Sequence, residues 1–273
     1  MAGYTNGGTV EMTKRNLKSK YTVGNLNITG EAVTTRFWDC CKPSCGWDGK
    51  ADFLAPVQTC NKDDKPTSKK AGTGCNGGDG YLCSDQHPWA VNDTFSYGFA
   101  GVFLKNHPET EAFWCCSCYR LTFNDDNLRN KSMIVQASNT AFDVTSDNRF
   151  SLAMPGGNTT SMDGCTRQYE LDPQVFGVTG SGVSKAEDCE NLPESLRDSC
   201  RWRFDWFKDV YNPNVSFERV VCPKELTDIT GCVRKDDQTL AAGSTAPSLA
   251  PIVLPASSVV AFLAAIVAGL LVV

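Results

Sequence analysis

Histidine is nearly absent from this chain: His87 and His107 are the only two in 273 residues. Basic residues number 26 against 31 acidic ones, for a net charge of -5. No cationic field is therefore available to hold nucleic acid. Residues 1–29 contain no apolar run of the length found in export signals, and Lys14, Arg15, Lys18 and Lys20 are scattered through polar sequence. The glycine fingerprint and βαβ spacing of a doubly wound sheet are also missing, which favours a β-barrel over that fold. The C-terminal run Val259–Val273 is apolar throughout but has only fifteen residues. A spanning helix needs about twenty, and no Lys or Arg follows Lys235 to mark a cytoplasmic side.

Cysteine is what the chain has in quantity. Fourteen lie between Cys40 and Cys232 and none outside that window. An even count at this density implies disulfides and an oxidising compartment. The clusters Cys40-Cys41-x3-Cys45 and Cys115-Cys116-x-Cys118 lack the two-residue spacers usual in zinc sites, and only His87 and His107 are present to join such a set. No metal and no cofactor are expected. Asn27, Asn92, Asn130, Asn158 and Asn214 each head an N-x-S/T triplet, so all five are candidate glycosylation sites of an exported protein.

These features divide the chain. Residues 1–29 read as an N-terminal extension without packed structure, with the export signal expected upstream of Met1. Residues 30–236 read as one domain. Residues 237–258 are a linker rich in Ala, Ser, Thr and Pro. Residues 259–273 are the apolar tail. Small residues Ala242, Gly243 and Ser244, a spacer and that tail match a glycolipid-anchor signal, which places the protein outside the cell and attached to its surface.

Within the domain, Gly, Pro and Asn punctuate closely. Tyr119–Phe123 alternates apolar and polar residues as a half-buried strand does. Met133–Ser138 and Ser216–Val221 are further strand candidates, as is Arg201–Phe207, where Trp202, Phe204 and Trp206 would share one face. Asn191 is placed to cap a short helix with Pro193 near its start. The expected architecture is mainly β, a barrel with long loops and short helices.

The densest chemistry lies in residues 34–47, T-T-R-F-W-D-C-C-K-P-S-C-G-W. Asp39 stands among Arg36, Trp38 and Trp47, with three cysteines fixing the backbone. Aromatic faces stack on sugar rings, and a rigid acid beside them is a candidate acid or base. This segment resembles the active-site signature of glycoside hydrolase family 45, the inverting endo-β-1,4-glucanases. The resemblance continues through Gly74-Cys75, Tyr81–Gln86, Pro88–Asp93, Trp114–Tyr119, Met154–Gly157, Asp163–Cys165, Trp202–Lys208 and Gly231-Cys232.

The resemblance implies a six-stranded double-psi β-barrel with an open groove. It also implies the pairs Cys40–Cys165, Cys41–Cys75, Cys45–Cys115, Cys60–Cys83, Cys116–Cys232, Cys118–Cys222 and Cys189–Cys200. The count of cysteines alone allows on the order of 10^5 pairings. Asp39 is then the general base, and Asp143 an auxiliary acid. Thr35, Arg36, Phe37, Trp38 and Trp47 are the implied substrate contacts, β-glucan is the implied partner, and a monomer is expected.

The general acid should be the middle residue of a Phe-Asp-Leu triplet before a Pro-Gly-Gly turn. Here that triplet is Phe150-Ser151-Leu152. A serine hydroxyl is no useful proton donor near neutral pH. The family's tyrosine before Trp-Asp is Phe37, and its glycine-rich run after the turn is the sequon Asn158-Thr-Thr160. Three readings stay open: a glucanase in which Asp143 or Asp147 serves as acid, a non-hydrolytic glucan-binding or wall-loosening protein, and a surface protein without ligand.

Overall fold

A computed structural model describes residues 27–142, 145–157, 162 and 164–238. Seven strands form one sheet: β1 (Thr29–Phe37), β2 (Trp89–Asn92), β3 (Phe95–Phe103), β4 (Cys118–Phe123), β5 (Ser132–Thr140), β6 (Arg149–Ala153) and β7 (Asn214–Val220). Their order is β2-β3-β5-β4-β7-β1-β6, and an antiparallel pairing of β3 with β6 closes six of them into a barrel. β2 hangs on the outside as a hairpin partner of β3. Two pairings are parallel, β1 with β6 and β3 with β5.

Strand periodicity sorts the side chains to the two faces of the barrel wall. Ala32, Val102, Tyr119, Leu121, Val135, Phe150, Leu152, Val215 and Phe217 come from all six closing strands and pack into one buried cluster, the barrel interior. Their neighbours of opposite parity, including Phe37, Tyr97, Phe99, Ile134 and Val220, join a second cluster outside it. All nine residues of β3 are buried, because both of its faces are covered. Among the described residues, four short α-helices lie around the barrel: α1 (Glu111–Trp114), α2 (Gly164–Tyr169), α3 (Glu194–Asp205) and α4 (Lys224–Thr230).

Three strand expectations coincide with β4, β5 and β7. Arg201–Phe207 does not: through Asp205 it is the second half of α3. Alternating aromatics mislead there, because helical spacing governs burial. Leu196, Ser199, Cys200 and Arg203 are buried at intervals of three and four, and Trp202 stacks on Trp206 at a centroid distance of 5.2 Å. Asn191 is not the cap either. It ends the preceding 3-10 turn, Ala186–Asn191, and Pro193 takes the N-cap position.

Seven disulfides staple the barrel to its loops: Cys40–Cys165, Cys41–Cys75, Cys45–Cys115, Cys60–Cys83, Cys116–Cys232, Cys118–Cys222 and Cys189–Cys200. The folded body is slightly longer than expected at both ends. Ile28 is 6% exposed and Asp237 only 3%. The Asp237 carboxylate accepts from Arg219 Nη2 at 2.9 Å, so this residue belongs to the barrel and not to the linker. The linker and tail lie outside the described residues. Among the described residues no helix is long and apolar enough to cross a membrane.

Candidate active site

The outer face of three adjacent strands makes a groove floor. Thr35 on β1 pairs with Ser151 on β6, and Ser151 pairs in turn with Gly101 on β3. Phe150 and Leu152 point into the barrel, so the alternation turns Ser151 outward. Gly101 sits at a register shift against β5, and a Cβ there would meet the Thr140 backbone at 3.3 Å. No side chain therefore rises beside Ser151 on that strand. The groove has a volume of about 380 Å³, and its walls include Arg36, Phe37, Asp39, Asn139, Phe142, Arg149 and Tyr211.

Asp39 enters where β1 ends. Cys40 follows it with φ +58°, a left-handed backbone that a non-glycine residue rarely adopts. The disulfide to Cys165 on α2 and the Oδ1 contact of Asp39 with Cys41 N–H (2.9 Å) hold this corner. The start of α2 approaches so closely that a Cβ on Gly164 would lie 2.3 Å from the Asp39 carbonyl oxygen. Burial pushes the Asp39 carboxyl up to about 6, against the lowering effect of the Cys41 N–H bond. Such a group is largely ionised at neutral pH yet basic enough to take a proton, the property wanted of a general base.

The far wall is fixed from below. Asn139 Oδ1 accepts from Ser44 N–H at 2.9 Å, the Ser44 and Thr140 hydroxyls lie 2.9 Å apart, and Trp114 Nε1 donates to Thr140 Oγ1 at 3.1 Å. The Cys40–Cys45 loop is thereby tied to the end of β5.

Thr35, Arg36, Phe37, Asp39 and Ser151 meet in one groove. Trp38 does not join them. It is 2% exposed and packs in the outer core, where no ligand can reach its ring. Trp47 lies outside the lining residues, with the Lys42 ammonium 3.7 Å from its ring centroid. Asp143 and Asn158 fall outside the described residues. Asp147 lines a separate depression with Lys105 and Asn148, not the groove. Among the described lining residues Asp39 is the one carboxylate. Sequence reading misses Asn139, Phe142, Arg149 and Tyr211 as groove walls. Asn27, Asn92, Asn130 and Asn214 are all exposed. Among the described residues, no cluster of three or more His, Cys, Asp or Glu could hold a metal.

An open groove on a disulfide-stapled barrel, with a raised carboxyl at its edge, has the layout of a glycoside hydrolase. The chain belongs to glycosyl hydrolase family 45, whose model matches residues 31–233. It is 47% identical to a type K endoglucanase-like protein of Fusarium oxysporum over 81% of this chain and 58% of that one. It is 41% identical to an endoglucanase of Cryptopygus antarcticus over 78% of this chain and 93% of that one. The crystal structure of the cellulase from that Antarctic springtail superposes with a TM-score of 0.72, covering 76% of this chain and 99% of that one at 41% identity. The chain thus spans little more than half of the Fusarium relative but nearly all of the springtail enzyme.

Proposed function

We propose that this is an exported endo-β-1,4-glucanase-like protein that acts on cellulose or a related β-glucan by inverting hydrolysis, at a rate reduced by the loss of its general acid. The observation that carries this reading is the meeting of Asp39 and Ser151 in one open groove of about 380 Å³. In inverting hydrolysis, one carboxylic acid protonates the leaving oxygen. A carboxylate across the bond activates water, with a gap of roughly 6.5–9.5 Å between the two. Asp39 is suited to the second role by its raised pKa and by the Cys41 N–H that orients it. Ser151 occupies the position of the first and cannot supply the proton, a deficit of about 10²–10⁴ in rate. Asp143 is the auxiliary acid and the candidate replacement donor.

Seven disulfides support residence in an oxidising compartment. The exposed sequons fit a glycoprotein, and the C-terminal tail fits a glycolipid anchor that holds a monomeric domain at the cell surface.

Release of reducing sugar from soluble β-1,4-glucan tests the hydrolytic reading, with Asp39→Asn as the control that abolishes it. A second reading, non-hydrolytic glucan binding or wall loosening, is favoured by the single carboxylate among the described groove residues. No sugar release together with retention on cellulose would select it. Neither activity nor retention would refute both.

A further inference from the structure

The six residues from Phe207 to Asn212 include three non-glycine residues in left-handed backbone: Lys208 (φ +56°), Asp209 (φ +50°) and Asn212 (φ +47°). Such a concentration persists only where the surroundings over-determine it, and it collects at ligand clamps. The determinant here is a buried guanidinium. Arg203 on α3 is 2% exposed, and its Nε donates to Asp209 Oδ1 at 2.7 Å. Its Nη1 donates to Gly156 O at 2.8 Å and to Val183 O at 3.0 Å. The Asp209 N–H in turn reaches Arg203 O at 2.8 Å. One buried cation thus holds three segments together: the Pro155-Gly156-Gly157 turn, Val183 just after the Val178–Gly182 bridge, and the 207–212 turn.

The product of this anchoring is Tyr211. It lines the groove yet is 72% exposed, the most exposed of the large apolar side chains described. A scattered surface aromatic would need no explanation, but this ring is set in place. The Arg36 guanidinium lies 5.6 Å from its centroid, and Arg36 Nη1 also donates to Asp209 Oδ1 at 3.1 Å. Asp209 therefore ties the groove-wall arginine to the buried one, and the ring above them stays open to solvent on a rigid support. A flat, electron-rich face with an anchored base suits the apolar C–H face of a pyranose ring.

We propose that Tyr211 is a sugar-stacking platform, forming a β-glucan subsite at the rim of the groove. The proposal rests on the glucan reading above. Titration calorimetry with cellohexaose tests it, on protein carrying Asp39→Asn so that the ligand survives. Adding Tyr211→Ala should weaken binding about three- to ten-fold, the effect of losing one aromatic contact. Tyr211→Phe should keep affinity within about two-fold, since stacking needs the ring and not the hydroxyl. Both variants should melt with their parent, because the side chain is mostly exposed. Equal binding by Tyr211→Ala and its parent would overturn the platform and leave the glucan reading intact. Loss in Tyr211→Phe as large as in Tyr211→Ala would overturn stacking. No cellohexaose binding by the parent would overturn the glucan reading itself.

Discussion

Asp39→Asn should stabilise the folded protein at neutral pH, by an amount that vanishes in acid. The Asp39 carboxyl titrates at about 6 in the folded chain against an ordinary value of 3.8, with burial as the largest cause. A raised pKa means that the native state holds this proton more tightly than the unfolded chain does. The associated stability is complete below about pH 4 and is lost as pH rises through about 6. A rise of this size corresponds to about 3 kcal/mol. Asparagine does not titrate and keeps an amide oxygen to accept from Cys41 N–H. The stability difference between Asp39→Asn and wild type should therefore grow by about 2.5 kcal/mol between pH 4 and pH 7.5, or about 5–10 °C in Tm for a domain of this size. Paired unfolding curves at the two pH values, with disulfides intact, measure it, and the other titrating groups cancel in the comparison. A difference that is flat with pH would refute the burial argument, and one that falls would mean that a partner holds Asp39 ionised.

If hydrolysis occurs, kcat/KM should rise with pH through an apparent pKa of about 6, as Asp39 loses its proton; an initial-rate profile on soluble glucan shows this, and a rate that falls across that range would contradict Asp39 as base. Ser151→Asp should raise hydrolysis ten-fold or more, within the roughly 10²–10⁴ of a placed general acid, and should add a descending limb at higher pH. No gain in that variant would place the proton donor elsewhere, and loss of activity in Asp143→Asn would identify it. Unreduced protein should show fewer than two reactive thiols on titration, since all the described cysteines are paired. Phosphatidylinositol-specific lipase should release the protein from membranes, and mature protein carrying peptides from residues 259–273 would contradict the anchor.

The strands legible in the sequence are those with one clear environment on each face. Tyr119, Leu121 and Phe123 turn inward with polar neighbours between them, so β4 announces itself. β3 does not, because it is buried on both faces and from Tyr97 to Phe103 no charged or strongly polar residue breaks the run. The C-terminal half of α3 imitates a strand because Trp202, Phe204 and Trp206 alternate. The true contacts of Trp202 are Trp206 and Phe207 at 5.2 and 5.4 Å, one turn on. The cysteine pairing is beyond any local rule, since Cys40–Cys165 joins positions 125 apart; only the family likeness could supply it.

The site divides in the same way. Thr35, Arg36, Phe37 and Asp39 are contiguous, so a motif can present them together. Trp38 shares that motif, yet the chain leaving β1 carries it inward to 2% exposure. An aromatic in a signature is thus no assurance of a sugar contact. Ser151 is legible because its flanking Phe150 and Leu152 mark a strand whose middle residue turns to the groove. Phe142, Arg149 and Tyr211 come from segments that meet Asp39 only after the barrel closes. Tyr211 in particular owes its position to a left-handed turn pinned by Arg203 through Asp209. Neither residue advertises that pairing locally, since Arg203 lies within the amphipathic pattern of α3 and Asp209 in a loop. What the sequence shows of a groove is its continuous edge. The opposite edge is built by the fold, and there the residues that set how this groove holds its ligand can differ without touching the signature.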